Sequence, residues 1–463
     1  MTVAIFVEMN DSFDPEKMTE LMEKISSGND AEMEAALEEL EASLGKYEPP
    51  LPAPFLFNQV RDPSMPFEDF KKACLSDLDL KFEGKNLLFP AMASGSLKKI
   101  QWLVEMGLDL CQTDESGYSL LTTASFLHRD DDAIFDYFCQ MKANFDQESS
   151  YGESALSVSI QTGRYDRVRT LLENGADASI ASFSLLHQAA AMGDLSRIQM
   201  EANSKILESR DRWERTPWLT ALCADQVETA QLLEELGADI EVVDHVGDEA
   251  IHLVAQCNAP QALAYLIGKG ITVGKPGHFK QTALHAAAEY DSLSCAKLLL
   301  ESGAQIDPLN ETEAQPISLA RSLEMIQLLH KAGANLNFVC GAGEWPLRDF
   351  ADDGDLEALR WMLENGADAN LTSTGETALF NAIRSDQLEA AALLIEFGAD
   401  VNAQDVDGDG LFFRCESKEA AKFLIEKGAD QSLRNQIGET AAQASYVSDE
   451  VRSYLSSQMS KLD

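Results

Sequence analysis

Residues 405–416, DVDGDGLFFRCE, have the residue types and spacing of a calcium-binding loop. Asp405, Asp407 and Asp409 stand at alternate positions, and a glycine follows where such a loop turns sharply. Glu416 closes the pattern at the twelfth position. Carboxylate oxygens at this spacing are the ligands that Ca²⁺ takes in the loop of an EF-hand. Taken alone, the stretch predicts a calcium site, and the surrounding elements decide whether its acids can converge.

Other side chains capable of chemistry lack catalytic or metal-binding spacing. The cysteines form no CxxC pair and no cysteine–histidine cluster of the kind that binds zinc, so they are interpreted as reduced, mostly buried thiols. They are Cys74, Cys111, Cys139, Cys223, Cys257, Cys295, Cys340 and Cys415. Histidines 128, 245, 278 and 330 have no Ser, Cys or Asp at catalytic spacing, and no glycine-rich phosphate loop occurs. The sequence predicts no enzyme, no cofactor and no metal.

The charge balance limits the kind of partner. The 463 residues include 78 Asp and Glu against 36 Lys and Arg, a formal net charge of -42. A field of this sign repels nucleic acid and anionic membranes and favours a basic protein. No stretch approaches the roughly 18 consecutive apolar residues of a membrane-spanning helix, and the N terminus lacks the pattern of a signal peptide. We therefore expect a cytoplasmic protein with no membrane or direct nucleic-acid partner.

The chain repeats itself, and its period predicts the architecture that must position these residues. Four copies of one unit are ERTPWLTALCADQVETAQLLEELGADIEVVD from Glu214, KQTALHAAAEYDSLSCAKLLLESGAQID from Lys280, GEWPLRDFADDGDLEALRWMLENGADANL from Gly343 and GETALFNAIRSDQLEAAALLIEFGADVNAQD from Gly375. The glycine that closes each apolar run recurs at Gly175, Gly237, Gly270, Gly303, Gly333, Gly366, Gly398 and Gly428. Most steps are 30 to 33 residues, and the step of 62 after Gly175 covers one degenerate copy around SLLHQAAAMGDLSRIQ.

These units resemble the ankyrin repeat over about residues 84–459, in about twelve divergent copies. The resemblance implies an all-α solenoid of stacked helix-turn-helix units, with hairpin tips and first helices on its concave side. The residues suit this arrangement, because the small Ala286 and Ala287 let neighbouring helices approach and Gly303 fits a left-handed helix end. One helix pair cannot bury both of its faces, so neighbours must stack. Units 310–333 and 405–428 lack three residues between their helices, and irregular stacking is expected there.

The repeat alignment gives residues 405–416 a different interpretation. In this alignment Asp405 is the turn aspartate between two units, and Asp407 and Asp409 occupy its variable positions. Glu416 falls beyond the start of the first helix, from where it cannot easily return as a twelfth ligand. An EF-hand loop further requires a helix that ends at its first aspartate, whereas GADVNAQ precedes Asp405. The pattern therefore favours an acidic hairpin tip over a calcium site.

Two further sets of residues have positions that indicate structural roles. His187, His252 and His285 stand at the histidine of the TPLH-like motif, where the resemblance implies an imidazole that ties one turn to its neighbour. Trp102 and Trp361 each lie five residues before a closing glycine, which favours packing of the second helix. Neither set is predicted to bind a partner.

The candidate binding residues lie at hairpin tips. Trp213 in DRWERTP stands where the repeat normally has a polar residue. An exposed tip tryptophan beside Arg212 is predicted to be a binding hot spot, since tryptophan and arginine dominate interface energies. The full set of predicted partner contacts is Arg212, Trp213, Glu214, His245, His278, Phe279, Glu344, Asp405, Asp407 and Asp409.

The first eighty residues do not repeat. DPEKMTELMEKISSG and DAEMEAALEELEASLG are amphipathic and predict two helices, a proline-rich connector covers about residues 46–66, and a short helix is expected around FEDFKKACLSDL. We predict that residues 1–80 form a helical N-terminal cap or a small separate module. Residues 81–463 are predicted to form the solenoid.

Together these features predict a non-enzymatic protein-binding scaffold or inhibitor that docks a basic protein on a concave acidic surface. An antitoxin or immunity protein that neutralises a basic toxin is its most concrete form. One alternative is a nucleic-acid mimic whose carboxylates occupy the groove of a DNA-binding enzyme. Another is a signalling or targeting adaptor whose first eighty residues carry the specificity. The free protein is expected to be monomeric.

Overall fold

The computed structural model describes residues 56, 59–61, 65–75, 78, 81, 85–126, 132–203, 205–373 and 375–459. The two helices predicted before residue 46 and most of the proline-rich connector lie outside these residues. The described ranges contain helices and turns without β-strands, and isolated β-bridges pair Thr113 with Ser119, Val243 with Glu249 and Gln404 with Gly410. No helix in the described ranges is long and apolar enough to cross a membrane.

The helices follow one another in pairs of a first and a second helix. The α-helices are α1 Phe67–Leu75, α2 Leu88–Ala93, α3 Leu97–Glu105, α4 Leu120–Phe126, α5 Ala133–Gln140, α6 Ala155–Gln161, α7 Tyr165–Glu173, α8 Leu185–Met192, α9 Leu195–Glu201, α10 Pro217–Cys223, α11 Val227–Glu235, α12 Ala250–Gln256, α13 Pro260–Gly268, α14 Ala283–Glu289, α15 Leu293–Glu301, α16 Pro316–Leu319, α17 Leu323–Ala332, α18 Pro346–Asp353, α19 Leu356–Glu364, α20 Ala378–Arg384, α21 Leu388–Glu396, α22 Lys418–Glu426 and α23 Asp449–Met459. Three 3₁₀ helices cover Ala178–Ala181, His278–Lys280 and Leu411–Arg414.

The chain divides into two compact units, Met1–Asp109 and Leu110–Asp463. In the first unit the predicted short helix is confirmed as α1. Its Phe70 ring lies edge-on to Trp102 of α3, with ring centroids 5.7 Å apart, so the predicted packing role of Trp102 is confirmed as well. The boundary that we predicted between residues 80 and 81 stays a prediction, because few residues from 76 to 84 are described.

In the second unit the pairs stack as the period predicts. First helices pack on first helices, as α12 does on α14 and α18 on α20, and second helices pack on second helices, as α19 does on α21. Some first helices are wholly buried, since all seven residues of α10 are buried between their neighbours. At its start Thr216 accepts a hydrogen bond from the Leu219 amide and Pro217 occupies the first turn. The predicted all-α repeat solenoid is confirmed.

The two units that lack three residues are irregular, as expected. The first helix α16 has only four residues, and the corresponding segment Leu411–Arg414 forms a 3₁₀ helix. A third irregularity was not predicted. The end of α6 contacts units well beyond its neighbour: Ile160 O accepts a hydrogen bond from Arg215 Nη1 at 2.7 Å, and Gln161 O accepts one from Gln256 Nε2 at 2.9 Å.

Candidate binding site at the hairpin tips

Several hairpin tips are built around one Asp or Asn side chain that accepts two or more backbone hydrogen bonds. Asp211 Oδ1 accepts from the amides of Trp213 at 2.8 Å and Arg215 at 2.9 Å. Asp405 Oδ1 accepts from Asp407 and Asp409, both at 2.9 Å. Asx turns of this kind replace backbone pairing in a tight turn. The regularly spaced tip aspartates therefore have a structural role, because they stabilise the turn.

Hydrogen bonds donated by backbone amides join successive tips into a row. The His245 amide donates to Trp213 O at 3.0 Å, and the His278 amide donates to Asp248 Oδ1 at 2.8 Å. The next tip continues the row, because the Glu311 amide donates to Phe279 O at 2.8 Å. The structure thus brings the predicted residues of the tips at 212–214, 245 and 278–279 into one continuous edge. Glu344 and residues 405–409 lie on tips farther along the chain.

Trp213 is not the exposed anchor that we predicted. Only 7% of the residue is accessible, and its ring lies 6.0 Å from the guanidinium carbon of Arg215. Arg215 is itself buried, with 2% accessible. The Asp211 turn directs residue 213 inward against this arginine, and the outer positions of the tip are taken by Arg212 and Glu214. The predicted exposure of Trp213 is therefore wrong, since the tip needs a side chain that covers Arg215.

Apolar side chains elsewhere on the tips do face solvent. Phe279 is 56% accessible and has a left-handed backbone, with φ of 49°, while the neighbouring His278 ring lies 3.9 Å away between centroids. Tyr151 and Val246, which the sequence analysis did not single out, are also exposed. Comparing only the tip positions of all units would have revealed them. We call Tyr151, Val246 and Phe279 the apolar tip row.

Polar tip residues lie beside the apolar tip row. The Arg212 guanidinium reaches back to an earlier tip, where it donates to Gly152 O and, at 3.3 Å, to Tyr151 O. His245 is exposed, and its Nδ1 lies 3.6 Å from Asp244 Oδ2. Arginine and imidazole donors thus remain at the edge where the apolar side chains are accessible.

The acidic tip at 405–409 is neutralised by the chain itself. Arg414 Nη2 lies 2.5 Å from Asp405 Oδ2 and 3.2 Å from Glu376 Oε1, and Nη1 lies 3.5 Å from Asp409 Oδ2. Both aspartates are buried, whereas Asp407 is exposed. Contact with a partner therefore stays a prediction for Asp407, but the buried and ion-paired carboxylates of Asp405 and Asp409 are not available for it.

Glu344, the remaining predicted contact, is on a separate tip. Its side chain is 54% accessible and lies 3.8 Å from Arg348 on α18. An exposed ion pair at this distance contributes little to stability. The carboxylate can therefore exchange this arginine for a cationic group of a partner, and its contact role stays a prediction.

Arg414 also bears on whether residues 405–416 can bind calcium. Glu416 is exposed and follows the 3₁₀ helix Leu411–Arg414, as the repeat alignment placed it. Among the described residues, no group of three or more His, Cys, Asp or Glu side chains is arranged to hold a metal ion. A guanidinium stands between Asp405 and Asp409, where an EF-hand loop would hold its ion.

We expect no tight calcium binding at residues 405–416. A cation would have to displace Arg414 from two buried carboxylates and recruit Glu416 from beyond the helix start. Titration calorimetry of the wild-type chain at micromolar calcium should give only heats of dilution. A one-site isotherm that disappears in Asp407→Ala would show that the loop does assemble around calcium.

The three motif histidines connect neighbouring units. His187 Nε2 donates to Arg215 O at 2.9 Å, His252 Nε2 donates to Lys275 O at 2.9 Å, and His285 Nε2 donates to Ala314 O at 3.1 Å. Burial lowers the pKa of His187 and of His285, so both rings are held neutral. The predicted structural role is confirmed.

The other tryptophan predicted to pack on the second helix does so. Trp361 of α19 is half-buried, and its ring lies edge-on to His330 of α17, with centroids 5.7 Å apart. An edge-to-face pair of this kind stabilises neighbouring helices. The contact joins two successive second helices, so Trp361 has a packing role. His128 lies outside the described residues.

Helix pairs stacked on one another and joined by hydrogen-bonded hairpin tips define a helical repeat protein. A family model described as ankyrin repeats (3 copies) matches residues 226–310 and 317–405. The chain is an ankyrin-repeat protein. Ankyrin repeats form protein-binding scaffolds, and the hairpin tips described above are part of the repeats.

Similar proteins contain the same repeats. The chain is 24% identical over 302 residues to ankyrin repeat domain-containing protein SAT10 of Stachybotrys chartarum, covering 63% of this chain and 14% of that protein. It is 26% identical to mouse inversin, covering 46% and 22%, and 27% identical to the mouse B-cell lymphoma 3 protein homolog, covering 40% and 44%. The chain thus spans less than half the length of these relatives. The crystal structure of the human ASB11 ankyrin repeat domain is 23% identical with a TM-score of 0.40, covering 46% of this chain and 98% of that one.

Proposed function

We propose that the chain is a non-enzymatic scaffold or inhibitor that docks a basic protein along the apolar tip row. The observation that carries this proposal is the exposure of Tyr151, Val246 and Phe279 at hairpin tips of a chain with a net charge of -42. Large apolar side chains at interface centres supply most of the binding energy. Surrounding charge mainly speeds encounter and selects the sign of the partner.

The polar surroundings of the row support a basic partner. Glu214, Glu311 and Glu313 are exposed on the same succession of tips, and the Glu311 amide donates a hydrogen bond to Phe279 O. Carboxylates at the rim would attract lysine and arginine side chains, while the partner's apolar groups would cover the row. Arg212 and His245 can donate hydrogen bonds to the partner's backbone carbonyls.

Masking a basic protein in the cytoplasm is the specific form of this function that we favour. An antitoxin or immunity protein that neutralises a basic toxin fits the charge and the fold, with a monomeric scaffold in the free state. The carboxylates of such a scaffold bind the partner directly, and direct binding of nucleic acid or membrane is not part of the proposal. Residues 1–80 then serve as a cap for the repeats.

We expect Phe279→Ala to weaken partner binding by about 2 kcal/mol, chiefly through faster dissociation, because the side chain is an exposed apolar anchor. The partner is captured by affinity pull-down with the full chain and then purified for surface plasmon resonance. Met200→Ala is the matched control, since Met200 is 82% accessible on the second helix α9 and lies away from the tips.

Salt gives an independent test of the charge argument. Raising the ionic strength should slow association with little change in dissociation, since screening acts on long-range attraction. An acidic partner would overturn the proposal. So would unchanged affinity when Tyr151, Val246 and Phe279 are all replaced by alanine, and specificity would then have to be sought in residues 1–80.

A further inference from the structure

Two arginine side chains from successive first helices converge on one buried amide. Arg348 is the third residue of α18, and Arg384 is the last residue of α20. Between them lies Asn381 of α20, which is only 2% accessible. With its amide oxygen facing the two guanidinium groups, Asn381 accepts from Arg348 Nε at 3.2 Å and from Arg384 Nη2 at 2.9 Å. Two like charges are therefore held close together by one neutral acceptor.

The carboxylates beside this arginine pair are too far away to accept good hydrogen bonds from it. Arg348 Nη1 lies 3.8 Å from Glu344 Oε1. Arg384 lies 3.6 Å from Asp352 Oδ1 and 3.9 Å from Glu376 Oε2. Such separations exceed the length of a hydrogen bond, so the pair retains N–H groups that can donate to a further anion.

The two carboxylates beside Arg384 have closer partners of their own. Asp352 Oδ1 accepts from Ser385 Oγ at 2.6 Å, and Glu376 Oε1 lies 3.2 Å from Arg414 Nη2. These contacts keep both carboxylates away from Arg384. Its long ion pairs are thus a consequence of how the neighbouring side chains are bonded.

The arginine pair is both held in place and open to solvent. The guanidinium carbon of Arg348 lies 6.0 Å from the centre of the ring of Trp345, which is itself buried. The side chains of Arg348 and Arg384 are 25% and 42% accessible. Guanidinium groups that are fixed in this way are suited to bidentate hydrogen bonding with a carboxylate.

We propose that Arg348 and Arg384 bind the carboxylate of an aspartate or glutamate side chain of a docked protein. The exposed Glu344 turns toward solvent when this carboxylate takes its place beside Arg348. A singly charged ligand is favoured over a phosphate, because the three carboxylates that already lie beside the pair repel a second negative charge more strongly. A side chain is favoured over a chain terminus, because its methylene groups let the carboxylate reach the half-buried Arg348.

The site adds a requirement to the partner of the proposed function. The net charge of -42 acts at long range and favours a basic protein, whereas the two arginines act only in contact. One acidic side chain on an otherwise basic surface would therefore fix the orientation of the partner. Binding of a carboxylate to the pair does not require the apolar tip row, so it can be measured without the partner.

The test measures binding of N-acetylglutamate α-amide, whose only charged group is a side-chain carboxylate, to the full chain. With ¹⁵N-labelled arginine, we expect the Nε–H resonances of Arg348 and Arg384 to shift and to saturate during the titration. Substitution of each arginine by lysine assigns its resonance. N-acetylglutamine amide, which is neutral and of the same size, should cause no such shift. The exposed Arg197 of α9 reports nonspecific effects of added anion.

Two substitutions should change the affinity in opposite directions. Arg384→Gln should weaken binding, followed at Arg348, by about tenfold, the effect of losing a charge-assisted hydrogen bond. Glu344→Gln should strengthen binding, because it removes the carboxylate that competes for Arg348. Glu364→Gln is the matched control, since it changes the net charge equally at an exposed position of the second helix α19, and it should leave the affinity unchanged.

Several results would overturn the proposal. They are the absence of a saturable shift, an equal shift with the neutral analogue, and a shift of the same size at Arg197. A stronger response to sulfate, a dianion, or to N-acetylglycine, which mimics a chain terminus, would overturn the assignment to an acidic side chain. Failure of the apolar tip row to bind a basic protein would leave these titrations unaffected, so the two proposals can fail separately.

Discussion

We expect replacement of Arg414 by methionine to lower the free energy of unfolding by about 3 kcal/mol, because it removes the cation from two buried carboxylates. Asp405 and Asp409 have side-chain accessibilities of only 3% and 7%, so water cannot compensate their charge. Methionine retains most of the apolar volume of the arginine stem. Urea unfolding followed by circular dichroism, with hydrogen exchange to locate the loosened repeat, measures the change.

Arg384→Met is the matched control for this result. Arg384 belongs to the same surface, but it is 42% accessible, and its carboxylate partners Asp352 and Glu376 lie 3.6 Å and 3.9 Å away. An exposed pair of this kind contributes less than about 1 kcal/mol. Equal losses in the two variants would show that burial of the carboxylates is not the cause.

A second substitution distinguishes charge from packing at the same tip. Adding Asp405→Asn to Arg414→Met should recover part of the lost stability, because it removes one buried charge and retains the turn. Asn310 already forms such a turn at another tip, where its Oδ1 accepts from the amides of Thr312 and Ala314 at 2.9 Å. No recovery in the double variant would mean that the unpaired charge of Asp405 is not what destabilises Arg414→Met.

Replacing Trp213 by alanine is expected to cost about 3 to 5 kcal/mol, the usual cost of removing a large buried aromatic side chain. The loss would open the tip and expose Arg215, whose guanidinium is bonded to Ile160 O. Hydrogen exchange should then rise at the His245 amide, which donates to Trp213 O in the next tip. Thermal and urea unfolding report the global effect.

Phe279→Ala provides the contrast on a nearby tip. Phe279 is 56% accessible, so its truncation should change stability by no more than about 0.5 kcal/mol. Comparing the stabilities of the two variants therefore distinguishes a tip side chain with a structural role from one that is free to bind a partner. If Phe279→Ala proved as destabilising as Trp213→Ala, the assignment of exposed and buried tip residues would be wrong.

The repeat architecture could be predicted because its determinants are local. A glycine every 30 to 33 residues, an apolar second helix and a small-residue first helix recur within each unit, and each feature acts on its own or on the adjacent unit. The histidine bonds follow the same logic, since His187, His252 and His285 reach a carbonyl 23 to 29 residues ahead. The three residues missing from unit 310–333 predicted an irregular unit, and the structure places the loss in the first helix α16 rather than between the helices.

The candidate binding residues could not be predicted as well from the sequence. A position in the repeat predicts where a residue lies in its unit, but not whether its side chain points toward solvent or toward the core. Trp213 turns inward because Arg215 beside it is buried and needs cover, whereas Phe279, on a similar tip, points outward with a left-handed backbone. The acids at 405–409 have the spacing of a calcium loop, yet Arg414 neutralises two of them across a shortened helix.

Local spacing alone was thus sufficient to specify an acidic ankyrin-repeat stack with hydrogen-bonded tips. The tertiary structure decided which tip residues are exposed and where distant units touch. The contacts of Ile160 with Arg215 and of Gln161 with Gln256 join residues 55 and 95 positions apart. Such separations exceed one repeat, so they depend on how several imperfect units accumulate their stacking angles. That sum is a property of the packed array, and it brings the Cys223 and Cys257 thiols into one cavity with the α6 turn.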